Sequence, residues 1–117
     1  MLNIGYADFS KIKGIKFQNF EKIDTEFKKV KGISTDSRTI KKGEVFWALI
    51  GDNFDGHLFL KGAADKPALF AVVKSTSAGA YDSDKMPLAI VPDTLLALQE
   101  LAKIQRQKFD IMVFLEN

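Results

Sequence analysis

Thr35-Asp36-Ser37-Arg38 and Asp52-Asn53-Phe54-Asp55-Gly56-His57 are the two stretches of this chain whose side chains could do chemistry. The hydroxyls of Thr35 and Ser37 can donate and accept hydrogen bonds, and the Arg38 guanidinium is a planar fork that matches phosphate or carboxylate. The same residue types also build a plain turn, with short Asp and Ser side chains bonded to nearby backbone and the arginine solvated or paired with Asp36. In the second cluster Asn53 offers a donor and an acceptor on one amide. That suits a base whose edge alternates them, such as uracil. Phe54 can stack on a base face or anchor in the core. Asp55 is placed to cap a helix starting near Gly56, whose free N–H groups would form an anion site. His57, the one histidine, has no second histidine or cysteine to share a metal, so a structural or hydrogen-bonding role outweighs ligation and catalysis.

Other chemistry is missing. The chain has no cysteine, which excludes disulfides, thiolate metal sites and a thiol nucleophile. It contains no GxxxxGK[ST] phosphate loop, no GxGxxG and no GxSxG. Its carboxylates show no spacing that marks an acid/base pair. From the residues alone, the expectation is a binding site without catalytic or metal-ligating groups.

The elements that must position these clusters follow from apolar patterning. Residues 6–13 suit a short helix stopped by Gly14. Residues 15–20 can be extended, and 21–29 carry no clear pattern. Val30–Thr35 reads as a strand that runs into the first cluster. Glu44–Ile50, Leu69–Val73 and Leu88–Val91 are apolar on consecutive positions, the mark of strands covered on both faces. A helix over residues 56–65, ended by Pro67, would join the first two of these. Residues 74–86 read as an exposed loop. Pro92-Asp93-Thr94 opens the longest helix, with Asp93 or Thr94 as its cap, and on it Leu95, Leu98, Leu101, Ala102 and Phe109 share a side. Ile111–Phe114 reads as the start of another strand. The expected fold is a single small α/β domain with a mixed, largely parallel sheet and flanking helices. Ligands of such sheets sit beyond the carboxyl ends of the strands, and both polar clusters follow a predicted strand. Residues 38–43 must then carry the chain back along the sheet, a span that six extended residues (about 20 Å) can cover. Adjacent parallel strands ordinarily need a longer crossover, so the expectation is an irregular return between strands that are not simple neighbours.

The whole chain has 117 residues, 46% hydrophobic and 27% charged, with a net charge of +2. These values suit one soluble domain with one core. Lysines cluster early, from Lys11 to Lys42, without an interleaved cluster of aromatics or arginines, so a solvated face is favoured over a nucleic-acid surface. No apolar run reaches the roughly 20 residues of a membrane span, and no secretory signal opens the chain. The expected location is the cytoplasm.

The run STDSRTIKKGEVFWALIGDNFDGHLFLKGAADKPALFAVV resembles the N-terminal domain of the Mur ligases, which build the peptide of bacterial peptidoglycan. The shared elements are DSR, a glycine soon after, VFWAL, and G-x-x-x-DGH-x-F. The later LAIVPDTLLALQELAKIQRQKF is most similar to the branch that joins D-alanyl-D-alanine to UDP-N-acetylmuramoyl-tripeptide. The resemblance implies a domain over residues 1–110 that binds the uridine end of that substrate. Residues 111–117 would begin the central ATP-binding domain. It implies ATP and Mg²⁺ as cofactors of the full enzyme, though not of this chain, and the central and C-terminal domains of the same enzyme as partners. No nucleic-acid partner is implied. Substrate contacts carried over by position are Thr35, Asp36, Ser37, Arg38, Asp52, Asn53, Phe54, Asp55 and Gly56, with Ser37 facing the uracil. Pro67-Ala68 stands where the family has a small-residue pair. After FDIMVF the full ligases continue into a loop ending in GKT, whereas this chain reads Leu115-Glu116-Asn117 and stops. It is therefore expected to be a truncated first domain, binding rather than ligating. Two other readings are a stand-alone nucleotide-binding or interaction domain, and the first domain of the ligase that adds the third peptide residue.

Overall fold

The computed structural model describes residues 4–23, 30–36, 38–51, 54–56, 68–78 and 86–116. Its centre is a five-stranded sheet in the order β1-β7-β6-β3-β2. The strands are β1 (Lys16–Gln18), β2 (Gly32–Ser34), β3 (Glu44–Trp47), β6 (Ala71–Lys74) and β7 (Leu88–Val91). Strands β2, β3, β6 and β7 run parallel, and β1 closes one edge antiparallel to β7, with Phe17 opposite Ala89. A separate two-stranded hairpin, β4 (Ile50–Gly51) with β5 (Phe54–Asp55), follows β3 directly. Among the described residues the α-helices are α1 (Tyr6–Phe9), α2 (Ser75–Ala78) and α3 (Thr94–Glu116), and Phe20–Lys22 forms a 3-10 turn. This is the mixed, largely parallel α/β domain that the apolar patterning predicts.

Side chains on the central strands alternate between two cores, as a period of two requires. Val45, Trp47, Val72, Ala89 and Val91 face one side, where they meet Ile4, Phe9, Ile12, Val30, Phe70 and, from α3, Ala97 and Leu101. Phe46, Ala48, Ala71, Val73 and Leu88 face the other, with Ile40 and Met86. Burial on both faces explains the unbroken apolar runs of these strands. Phe9 and Phe70 meet edge to face at 5.1 Å between ring centroids, an arrangement aromatic quadrupoles favour.

Several local expectations need correction. The first helix ends at Phe9; residues 10–15 continue as tight turns, with Lys11 N–H donating to Asp8 O and Ile12 N–H to Phe9 O. Gly14, at φ +76°, does end them. The strand predicted over Glu44–Ile50 is two elements, since β3 stops at Trp47 and Ile50 pairs with Asp55 in the hairpin. The segment read as a loop after β6 begins with the single turn α2, too short to show any periodicity. Residues 111–116 are helical, not a strand. No glycine or proline follows Pro92, so nothing interrupts the helical ladder, and a short apolar run cannot by itself distinguish strand from helix. The buried side of α3 shares Leu98 and Leu101 with the one predicted but not Leu95 or Ala102. Thr94, Ala97 and Leu101 are buried, while Leu95 is 51% exposed and Ala102 is exposed. The helix predicted over 56–65 lies outside the described residues beyond Gly56.

The pairing of β2 with β3 overturns the remaining expectation. They are direct parallel neighbours, with Gly32 opposite Glu44 and Ser34 opposite Phe46. The return is short because β2 is only three residues long, so the chain has little sheet to recross. Ile40 tucks into the second core on the way. Gly43, at φ +87°, then turns the chain into β3, and its carbonyl accepts from Lys31 N–H at 2.9 Å.

Candidate functional site

Parallel pairing places the ends of β2 and β3 at the same rim of the sheet. The segment from Thr35 to Arg38 leaves from one, and the β4–β5 hairpin rises from the other. The rim also includes Val91, from which the chain passes through Pro92 and Asp93 into α3.

The first segment is braced from within. Ser34 Oγ–H donates to Asp36 O at 2.9 Å, and Asp36 N–H donates back to Ser34 Oγ at 3.2 Å. Asp36 then accepts Arg38 N–H on Oδ1 at 2.9 Å, a turn made by an Asp side chain two residues before its donor. The Arg38 guanidinium closes on the same carboxylate, Nε to Oδ1 at 3.0 Å and Nη2 to Oδ2 at 2.9 Å. The arginine side chain is 86% exposed and the aspartate 40%. Arg38 therefore takes the paired arrangement foreseen for a turn, and its Nη1 is not used by Asp36. Hydrogen bonds from the Arg38 side chain, then its backbone N–H, hold the Asp36 carboxyl below its ordinary value, and the carboxylate raises Arg38 in return. Thr35 is exposed beside this turn. Ser37 lies outside the described residues.

The hairpin carries the second cluster. Ile50 pairs with Asp55 and Gly51 with Phe54; Asp52, Asn53 and His57 lie outside the described residues. Asp55 is half-buried in β5. Gly56 is buried at the hairpin base, where its N–H donates to Leu49 O at 2.7 Å. A Cβ at Gly56 would lie 2.9 Å from Leu49 N and 3.0 Å from Ala48 Cα. Bare backbone is thus required there to let two chain segments touch. Two further residues serve this rim without having been singled out in the sequence. Ser34 braces Asp36, a role that a serine at a strand end before an aspartate can signal. Trp47 donates its indole N–H to Thr94 O at 2.7 Å, which a buried tryptophan's need for an acceptor could have flagged.

Among the described residues no group of three or more His, Cys, Asp or Glu could hold a metal ion. No helix among them is long and apolar enough to cross a membrane.

A family model described as Mur ligase family, catalytic domain, matches residues 29–106. The UDP-N-acetylmuramoyl-L-alanyl-D-glutamate–2,6-diaminopimelate ligase of Aquifex aeolicus is 41% identical over 75 residues, which are 64% of this chain and 14% of that protein. The UDP-N-acetylmuramoyl-tripeptide–D-alanyl-D-alanine ligase of Haemophilus influenzae is 38% identical over 88 residues, 75% of this chain and 18% of that protein. A crystal structure of MurF from Acinetobacter baumannii superposes with a TM-score of 0.71 at 25% identity, covering 89% of this chain and 21% of that one. The chain thus spans less than a fifth of the curated relatives' length, at 14% and 18% of them, and those relatives belong to two kinds of ligase.

Proposed function

The chain belongs to the Mur ligase family, and we propose that it is the part of an ATP-dependent ligase of peptidoglycan precursor synthesis that recognises the uridine end of UDP-N-acetylmuramoyl-peptide. The observation that supports this reading is the parallel β2–β3 pair, which brings the ends of the two strands that precede the polar clusters to one rim. Ser37 and Asn53 would meet the uracil, since a hydroxyl and an amide together match its alternating edge. Asp52 and Phe54 would flank it. Arg38 would offer the donors that Asp36 leaves unused to a phosphate oxygen, with Thr35 beside it. Asp36 and Gly56 would act by shaping the two segments, and Asp55 by forming the hairpin base.

Within the family we favour the ligase that adds D-alanyl-D-alanine. The run from Val91 to Phe109 supports it, and so does the likeness to MurF over 89% of the chain. The 41% identity to the diaminopimelate-adding ligase of Aquifex aeolicus supports the second reading, the enzyme that adds the third residue. Phosphoryl transfer from ATP, with its Mg²⁺, would fall to the rest of the ligase. The described residues carry no acid cluster to hold the ion, and no step of that chemistry is assigned to them.

Titration of the chain with UMP and with UDP, followed through amide chemical shifts, tests the reading. Shifts should gather on residues 34–38 and 51–56, while residues 99–107 of α3 stay still. Silence at millimolar nucleotide, or movement confined to the α3 face, would overturn it.

A further inference from the structure

We infer that Trp47 positions the β4–β5 hairpin by tying its base to the first turn of α3. Trp47 is the last residue of β3, fully buried, and its strand is separated from β7, which leads into α3, by β6. Its indole reaches across on the first core face and donates to the Thr94 carbonyl at 2.7 Å. Thr94 is itself only 3% exposed. The next two residues carry the connection outward. Ala48 N–H donates to Val72 O on β6 at 3.0 Å, and Leu49 O receives Gly56 N–H at 2.7 Å. Three successive residues are thus fixed to three different elements: Trp47 to α3, Ala48 to β6 and Leu49 to the end of the hairpin. A displacement of the first turn of α3 is therefore passed to the hairpin, and the reverse. Trp47 acts through the hairpin and is a positioning residue. Its bearing on nucleotide binding rests on the function proposed above; its hold on the hairpin does not.

The two can be tested apart. The chain has one tryptophan, so a single indole N–H resonance reports the tie directly. In the unaltered protein, hydrogen exchange of the indole N–H and of Gly56 N–H should share one opening equilibrium, more frequent than that of β6 amides such as Val73. In Trp47→Phe, which keeps an aromatic ring and removes the donor, Gly56 N–H should lose protection about fivefold beyond any loss at Val73, the factor expected for one hydrogen bond of about 1 kcal/mol. If Gly56 opens freely while the indole stays protected to the level of Val73, or if Gly56 and Val73 lose protection equally in the variant, Trp47 does not hold the hairpin. The exchange comparison in the unaltered protein decides the matter even where Trp47→Phe fails to fold. Absence of UMP or UDP binding by the unaltered protein would count against the proposed function alone.

Discussion

Replacing Gly56 by alanine should loosen the hairpin base measurably. The added Cβ would sit 2.9 Å from Leu49 N and 3.0 Å from both Ala48 Cα and Leu49 O. All three are backbone atoms, and Ala48 is pinned to β6 through Val72 O, so no flexible side chain can swing aside. The hairpin must lift instead, stretching the 2.7 Å bond from Gly56 N–H to Leu49 O. Overpacking of this kind costs about 1–3 kcal/mol. Alanine also restricts the unfolded chain, which offsets about 0.4–1 kcal/mol. The steric cost is the larger, leaving a net loss of about 1–2 kcal/mol. In a domain of this size that lowers the unfolding midpoint by about 4–8 °C. Thermal and urea unfolding by circular dichroism measure the loss, and an amide spectrum locates it. Shifts should concentrate on Ala48–Gly51 and Phe54–Gly56 and leave the β6–β7 pair unmoved. A variant as stable as the parent, or more so, would show that the two segments are not in contact and that the glycine serves some other need.

Two further outcomes concern the rim. Because the Asp36 carboxyl is held low by Arg38, the pair's contribution is complete above the ordinary Asp value of about 3.9. It is lost as the pH falls through the lowered folded-state value. A carbon-13 titration of the Asp36 carboxyl should therefore give a lower midpoint in the parent than in Arg38→Ala, with the gap shrinking in high salt; equal midpoints would deny the pair. At the other end of the rim, Asp93 Oδ1 accepts Leu96 N–H at 2.9 Å and caps α3. Asp93→Ala should cost about 0.5–2 kcal/mol in urea unfolding and Asp93→Asn much less; equal losses would place the effect outside the cap.

The central strands are legible in the sequence because Val45-Phe46-Trp47, Ala71-Val72-Val73 and Leu88–Val91 are short unbroken apolar runs bounded by turn signals, the pattern of a sheet covered on both faces. A capped start of α3 is legible too, since Asp93 and Thr94 after proline both suit a cap, and the bond from Leu96 N–H decides for Asp93. The β2–β3 pairing was harder. The rule that parallel neighbours need a long crossover assumes strands of ordinary length, and three-residue β2 escapes it. Ile111–Phe114 misled because a short apolar run has the same look in either conformation. On α3 the apolar positions are too many to fix the buried side, and the choice falls to what Thr94 and Trp47 require of the first turn. At the candidate site, the residue types around Arg38 admitted two uses, and only geometry could show the fork already closed on Asp36. Gly56 was conspicuous as a glycine, but the backbone that comes within 3.0 Å of its missing side chain belongs to residues 48 and 49, and no pattern of letters records that approach.

Both borders of the five-stranded sheet, β1 and β2, are three residues long. Lateral growth by a foreign strand needs a row of unpaired backbone donors and acceptors to copy. At either border here the described row is one strand of three, which supplies too few bonds to offset the ordering of an incoming segment. The same brevity that lets the chain double back between β2 and β3 thus leaves the sheet a poor template for aggregation.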